Sequence, residues 1–237
     1  METAKKTNKK RIAFVHETFP GVGGGGSERC TFDLANYLSR QGYEVYVWAH
    51  EHDAGRYPAR LPVAFRVMEL PGPSVHRSKK DARFMAELVR RLQIDVLVSV
   101  VHPLLRIRDI LPEGSSCRYV MANHSTPFWE VTGKVERRRH YRQRTLLGTL
   151  VWWMVDYPRI YGLKTYERRF QRLYRQVYEQ ADAYVVLCED YRRELCDRLG
   201  LDPANARIWA IPNSERPAEG DMAGRSKRKQ VLYVGRM

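Results

Sequence analysis

The run Ile94–Val101, IDVLVSVV, decides the architecture of this chain. Its apolar side chains occupy both positions of the two-residue strand period, so neither face is left to water, as in parallel sheets covered by helices on both sides. Immediately upstream, Lys79–Gln93 sets Ala82, Met85, Val89 and Leu92 on one helical face, so a helix delivers the chain into this strand. The alternation repeats outward in both directions. Ile12–His16 reads as a strand, and Ser27–Arg40 as a helix with Cys30, Leu34, Tyr37 and Leu38 on one face, stopped by Gly42. Tyr43–Ala49 and Val63–Leu70 read as the next strands, and Arg118–Ala122, Ala183–Cys188 and Arg207–Ile211 continue the series. Strands alternating with helices predict an α/β fold, a doubly wound parallel sheet of Rossmann-like topology.

Composition restricts the partners. The 237 residues carry 41 Lys and Arg against 27 Asp and Glu, a formal charge of +14, which calls for an anionic partner: nucleic acid, an anionic membrane or a phosphorylated substrate. No recognisable DNA- or RNA-binding module accompanies the charge, so nucleic acid is not expected. The polar, basic N-terminus leads into an apolar run too short for the core of a signal peptide. The most apolar stretch, Leu146–Val155, is about half of the roughly 20 residues that a spanning helix needs. Cys30, Cys117, Cys188 and Cys196 show neither metal-ligand spacing nor a disulfide framework, and read as reduced thiols of a cytoplasmic protein.

Between the first strand and the first helix lies Pro20–Glu28, PGVGGGGSE. Ligands of open parallel sheets gather beyond the carboxyl ends of the strands, where the N–H groups of a helix start attract anions. Gly23, Gly24, Gly25 and Gly26 let the backbone lie close to such a ligand; Ser27 is a candidate cap and Glu28 falls in the first turn. The run fits the dinucleotide fingerprint only loosely, and no acidic residue ends the second strand, which argues against a nicotinamide cofactor.

FPGVGGGGSERCTFDLANYLSRQGYEVYVWA, NHSTPFW, ADAYVVLCEDYRRELCDRLGL, IWAIPNSERP and VLYVGRM, in this order and spacing, resemble the N-terminal half of family-4 glycosyltransferases. These are retaining enzymes built from two Rossmann-like domains, the GT-B fold. The resemblance spans about residues 11 to 237 and is weakest from Gly133 to Gln180. It implies a GT-B N-terminal, acceptor-side domain over residues 1–213, an interdomain linker at 214–229, and at 230–237 the first strand of a donor-binding domain whose remainder is absent. It implies transfer of a sugar from a nucleotide diphosphate sugar, as co-substrate, to a glycan or lipid-linked acceptor, with no metal and no other cofactor, and an isolated chain that is inactive. A non-catalytic, membrane-associated scaffold is the alternative expectation. In consonance with a metal-free reaction, the sequence holds no Asp-x-Asp pair.

The resemblance also assigns residues. Gly23 to Gly26 take the place of the family's cleft loop beside the donor diphosphate. His124, in ANHSTP, matches a histidine near the transferred sugar, suited to hydrogen bonding a sugar hydroxyl and supporting charge at the reacting centre. Thr126 is a candidate to assist it; His102 matches a more variable family position and reads either as a turn residue or as an acceptor contact; and Asn213 matches the Asn of the family's PNG turn, with Ser214 in place of Gly, and reads as an interdomain turn residue first and a sugar contact second.

Residues 134–178 form a basic and aromatic excursion from a plain Rossmann layout. Arg137, Arg138, Arg139, Arg142 and Arg144 cluster ahead of Trp152 and Trp153, while Tyr166, Phe170, Leu173 and Val177 share one helical face among arginines. Two expectations stand side by side: a surface for an anionic membrane or acceptor, with the protein peripheral on the cytoplasmic face, or a helix hairpin packed on the domain with solvated arginines.

Overall fold

The computed structural model describes residues 9–19, 26–52, 65–72, 77–142 and 145–213. Gly23, Gly24, Gly25, Arg144 and the expected linker and final strand at 214–237 lie outside the described residues.

The central strand is the one predicted, trimmed to Val96–Val100 and called β6. It pairs in parallel with β1 (Arg11–Val15) on one side and β7 (Arg118–Asn123) on the other. With β3 (Glu44–Ala49), β5 (Arg66–Glu69), β8 (Ala183–Val186) and β9 (Ile208–Ala210), seven strands form one parallel sheet in the order β5-β3-β1-β6-β7-β8-β9. A two-stranded ribbon, β2 (Thr18–Phe19) with β4 (Glu51–His52), stands apart. The strand order reverses between β1 and β6, which makes their carboxyl ends the topological switch point of a Rossmann-like sheet.

The two faces of the sheet are separate hydrophobic cores, as the alternation along β1 requires. Phe14 joins Phe32, Ala35, Val45, Val47 and Val100 under helix α1 (Gly26–Arg40). Ala13 and Val15 join Trp48, Met85, Leu88, Leu97, Tyr184 and Leu195 on the other face. That face is covered by α2 (Lys79–Leu92), the short α3 (Ile107–Ile110), α6 (Thr165–Gln180) and α7 (Glu189–Leu199).

Helix α1 corrects the expected face. It buries Thr31, Phe32, Ala35 and Asn36, while Leu34 and Tyr37 point outward at 46% and 58% exposure. Its end agrees with the reading, since Gly42 takes the left-handed backbone (φ +91°) that a residue with a Cβ resists. Ser27 lies within the helix, where its hydroxyl donates to Glu28 Oε2 (2.9 Å). The four cysteines are free thiols.

Between β7 and β8, where a Rossmann crossover needs one helix, the chain builds several. α4 (Trp129–Arg142) is followed by α5 (Leu146–Val151), which runs on through two π-helical stretches, Trp152–Asp156 and Pro158–Gly162, before α6 returns to the sheet with Tyr174 and Val177 buried. Gly148, Trp152 and Asp156 face inward. Trp152 is therefore not a surface residue: it is 3% exposed, whereas Trp153 is 52% exposed. Neighbours in a helical sequence point about 100° apart, so an adjacent pair cannot share one face. Arg137, Arg138 and Arg139 of α4 are exposed, but two of them find partners within the excursion. Arg138 lies 3.8 Å from the buried Asp156, and Arg139 bridges Glu136 and the hydroxyl of Tyr161. No helix among the described residues is long and apolar enough to cross a membrane.

Candidate active site

Three strands release a histidine at the carboxyl edge of the sheet. His16 follows β1, His102 follows β6 by two residues, and His124 follows β7. They gather at the switch point closely enough that His124 and His102 both oppose a charge on His16.

His16 is the most constrained. It is 3% exposed, its main-chain N–H donates to Trp48 O (2.9 Å), and its Nε2 lies 2.8 Å from the hydroxyl of Thr31, one turn into α1. Burial, reinforced by the two neighbouring imidazoles, pushes its pKa down to about 3. At neutral pH it is an uncharged hydrogen-bonding group locked to α1.

His124 is half-buried, and its Nδ1 is shielded from solvent with no hydrogen-bond partner among the described residues. Burial lowers its pKa, and Glu28 in the first turn of α1 works in the opposite direction. The result is a neutral imidazole within the field of one carboxylate, with a ring nitrogen aimed into protein and unspent. An orphaned buried polar atom is costly unless something completes it, and a ligand hydroxyl is one such group.

The turn that carries His124 is braced from several directions. Asn123 Oδ1 accepts the Ser125 N–H at 3.1 Å, and Thr126 Oγ1 meets the Tyr191 hydroxyl of α7 at 2.9 Å. Phe128 adopts a positive φ of +60°, stacks on Tyr174 at 4.5 Å between centroids, and donates its N–H to the Tyr174 hydroxyl at 3.2 Å. The guanidinium of Arg198 also lies over the Phe128 ring, 4.6 Å from its centroid. Beneath the turn, a void of about 20 Å³ lined by Asn123, Glu130, Tyr174 and Tyr184 has room for one water.

Strain marks the neighbouring turn. The His102 N–H donates back to Val100 O at 2.8 Å, closing a three-residue turn about Val101, whose φ is +66°. A β-branched residue resists that conformation, and such γ-turns are rare. The surroundings hold it: the Val101 N–H is bonded to Ala122 O at 2.9 Å. The strain sits where the chain leaves the switch point, and it aims His102.

Of the residues singled out from sequence, His124, His102 and Thr126 come together at this edge, and Gly26 is the first residue of α1, two residues before Glu28. Asn213 is exposed beyond β9. Arg137 and the excursion lie past the start of α4, away from the imidazoles in sequence and packing. Sequence reasoning missed His16 and Thr31. The signal was present: four of the seven histidines, His16, His50, His102 and His124, follow the end of a strand by one or two residues. A cavity of about 860 Å³ lies instead beside Ile94, Asp95 and Cys117 at the amino ends of β6 and β7, the end of a parallel sheet where ligands do not gather.

The sequence profile of Glycosyltransferase Family 4 matches residues 24–214. No curated protein matches the chain. Among solved structures, sucrose-phosphate synthase of Thermosynechococcus elongatus superposes with a TM-score of 0.50 at 13% identity, covering 86% of this chain and 48% of that one. A glycosyltransferase of Rickettsia africae gives 0.46 at 13% identity over 86% and 43%. Anabaena HepE, solved with UDP and glucose, gives 0.48 at 12% identity over 87% and 45%. The chain thus spans less than half the length of these structures.

Proposed function

Because the chain belongs to glycosyltransferase family 4, we propose that it forms the acceptor-side half of an enzyme that moves a sugar from a nucleotide diphosphate sugar to a glycan or lipid-linked acceptor. The observation that carries the reading is the histidine cluster at the switch point, in which burial keeps His16 and His124 neutral and leaves the Nδ1 of His124 orphaned beside the start of α1. Neutral imidazoles both donate and accept, which suits a ligand rich in hydroxyls.

In this reading the N-terminus of α1, whose dipole favours anions, faces the diphosphate, and the glycine run before it allows close approach. His124 hydrogen-bonds a sugar hydroxyl and stabilises charge as the glycosidic bond to the diphosphate breaks. His16 does not touch the sugar as a cation. It fixes the edge of the cleft by tying β1 to α1 through Thr31, and, being uncharged, it sets no positive charge beside His124.

The test is transfer from a panel of nucleotide sugars by the complete enzyme, wild type against His124→Ala. Loss of one group that hydrogen-bonds developing charge lowers kcat by about 10²–10³-fold. An unchanged kcat with every donor that the wild type uses, in a variant of unaltered melting temperature, overturns the role of His124.

A further inference from the structure

The helical run from Leu146 to Leu163 is inside out. Its inward positions, Gly148, Trp152 and Asp156, pack on the domain, while its apolar side chains point to solvent. Leu147, Leu150, Met154, Tyr157 and Tyr161 recur at alternating steps of three and four residues, with exposures from 42% to 70%, and Leu146 and Trp153 widen the stripe. Over the same eighteen residues only Asp156 and Arg159 are charged, and Asp156 is buried against Arg138. A solvent-facing apolar stripe of this length is what monomeric soluble proteins avoid.

The charge beside it names the occupant. Residues 129–180 hold twelve basic and five acidic side chains, so 52 residues carry +7 of the chain's +14. Lys134 lies over the rings of Tyr166 and Phe170, with Arg77, Arg137 and Arg169 near enough to depress its pKa after burial has done so. Arg159, Lys164, Arg168, Arg169 and Arg172 are exposed. A second copy of the chain would bring +7 against +7. An anionic lipid surface answers both features, taking the apolar stripe among its acyl chains and the cations among its headgroups. Trp153, Tyr157 and Tyr161 are residue types that settle at that boundary.

We propose that the Leu146–Leu163 helix lies in the headgroup plane of an anionic membrane and docks the domain there. The helix is tied to α4 at its inner face by the pair of Arg138 with the buried Asp156, and at the flank of the stripe by the hydrogen bond from Arg139 to the Tyr161 hydroxyl, so these two arginines already have partners within the fold. Docking does not depend on glycosyl transfer, and vesicle sedimentation reads it without any activity.

The 237-residue chain is sedimented with vesicles of pure phosphatidylcholine or of phosphatidylcholine with phosphatidylglycerol, at low and high salt. Partitioning into the anionic vesicles only, weakened by salt, is the expected result. Arg159→Gln and Lys164→Gln each reduce the partition coefficient about fivefold. Leu150→Asp with Met154→Asp abolishes binding, and since both side chains are exposed the melting temperature stays that of wild type. Equal binding to neutral vesicles overturns the proposal, as does binding that survives the two aspartates. Absence of binding at low salt overturns it too; should the same aspartates then dissolve a dimer seen by sedimentation velocity, the stripe is an interface between copies.

Discussion

Acidification should destabilise this domain through one buried imidazole. The pKa of His16 is pushed down to about 3 in the native state, against about 6.5 in an unfolded chain. Between those values the unfolded chain binds a proton that the native chain excludes, so the contribution of His16 to stability is complete above about pH 6.5 and is lost as pH falls toward 3. Integrated from pH 7.5 to 5.0, the loss is about 2 kcal/mol, and it approaches about 5 kcal/mol below pH 3. The perturbation is His16→Gln, which keeps a hydrogen-bonding group within reach of Thr31 but cannot take a proton. Urea unfolding of both proteins at the two pH values is the assay. With a denaturant slope of about 2–3 kcal/mol/M, the wild-type midpoint should fall by about 0.7–1 M more than that of the variant. Carboxylates and His124, common to both proteins, cancel in this difference. Equal falls would mean that His16 takes its proton without cost, which would refute both its burial and the closeness of the other two histidines.

Two further substitutions test how the carboxyl edge is built. Gly72→Ala would drive a Cβ into Ser78 Oγ and the carboxylate of Asp81, where Asp81 is fully buried and bonded to both Gly72 N and His50. Overpacking there should cost about 1–3 kcal/mol in chemical unfolding, and a neutral result would show that the Ser78 cap and Asp81 are free to move. Val101→Gly removes a side chain but also relieves the strained φ of +66°. It should destabilise by about 1–3 kcal/mol less than Val96→Gly, a half-buried control in regular strand geometry, and equal costs would mean that the turn at Val101 stores no strain.

The parts that the sequence disclosed are those governed by a repeating rule. The unbroken apolar run of β6 implied burial on both faces, and β6 is the sheet's centre between β1 and β7. What it hid depended on direction and neighbourhood. Periodicity in α1 offers two stripes, and the sheet took the one bearing Phe32 and Ala35, because a helix beside the cleft must also present Thr31 to His16. Trp152 and Trp153 read as one surface feature until the helix turned them apart. His16 read as the end of a strand. Its chemistry arises from contacts with residues 15, 86 and 108 positions away, which no local pattern contains.

The crossover from β7 to β8 joins the two proposals physically. His124 begins that crossover, and the next turn, through Phe128 and Trp129, opens α4, on which the outward-facing helix is packed. Phe128 is held by Tyr174 of the returning helix α6 and by Arg198 of α7, so the junction is stiff where it leaves the cleft. A domain lying on lipid through Leu146–Leu163 would hold His124 at a fixed height above the headgroup plane, because that run packs on α4, which the His124 turn opens. That height would set the reach of the acceptor. On the proposed reading, a lipid-linked glycan would have to extend its reactive hydroxyl from the headgroup plane by that height, and a single sugar at the bilayer surface would need the domain to tilt. Acceptors of increasing glycan length, presented in anionic vesicles to the complete enzyme, should therefore show a threshold length for turnover, and Leu150→Asp with Met154→Asp should erase the threshold while leaving turnover of a soluble acceptor intact. Turnover independent of glycan length, by an enzyme still bound to its vesicles, would uncouple the lipid surface from the cleft.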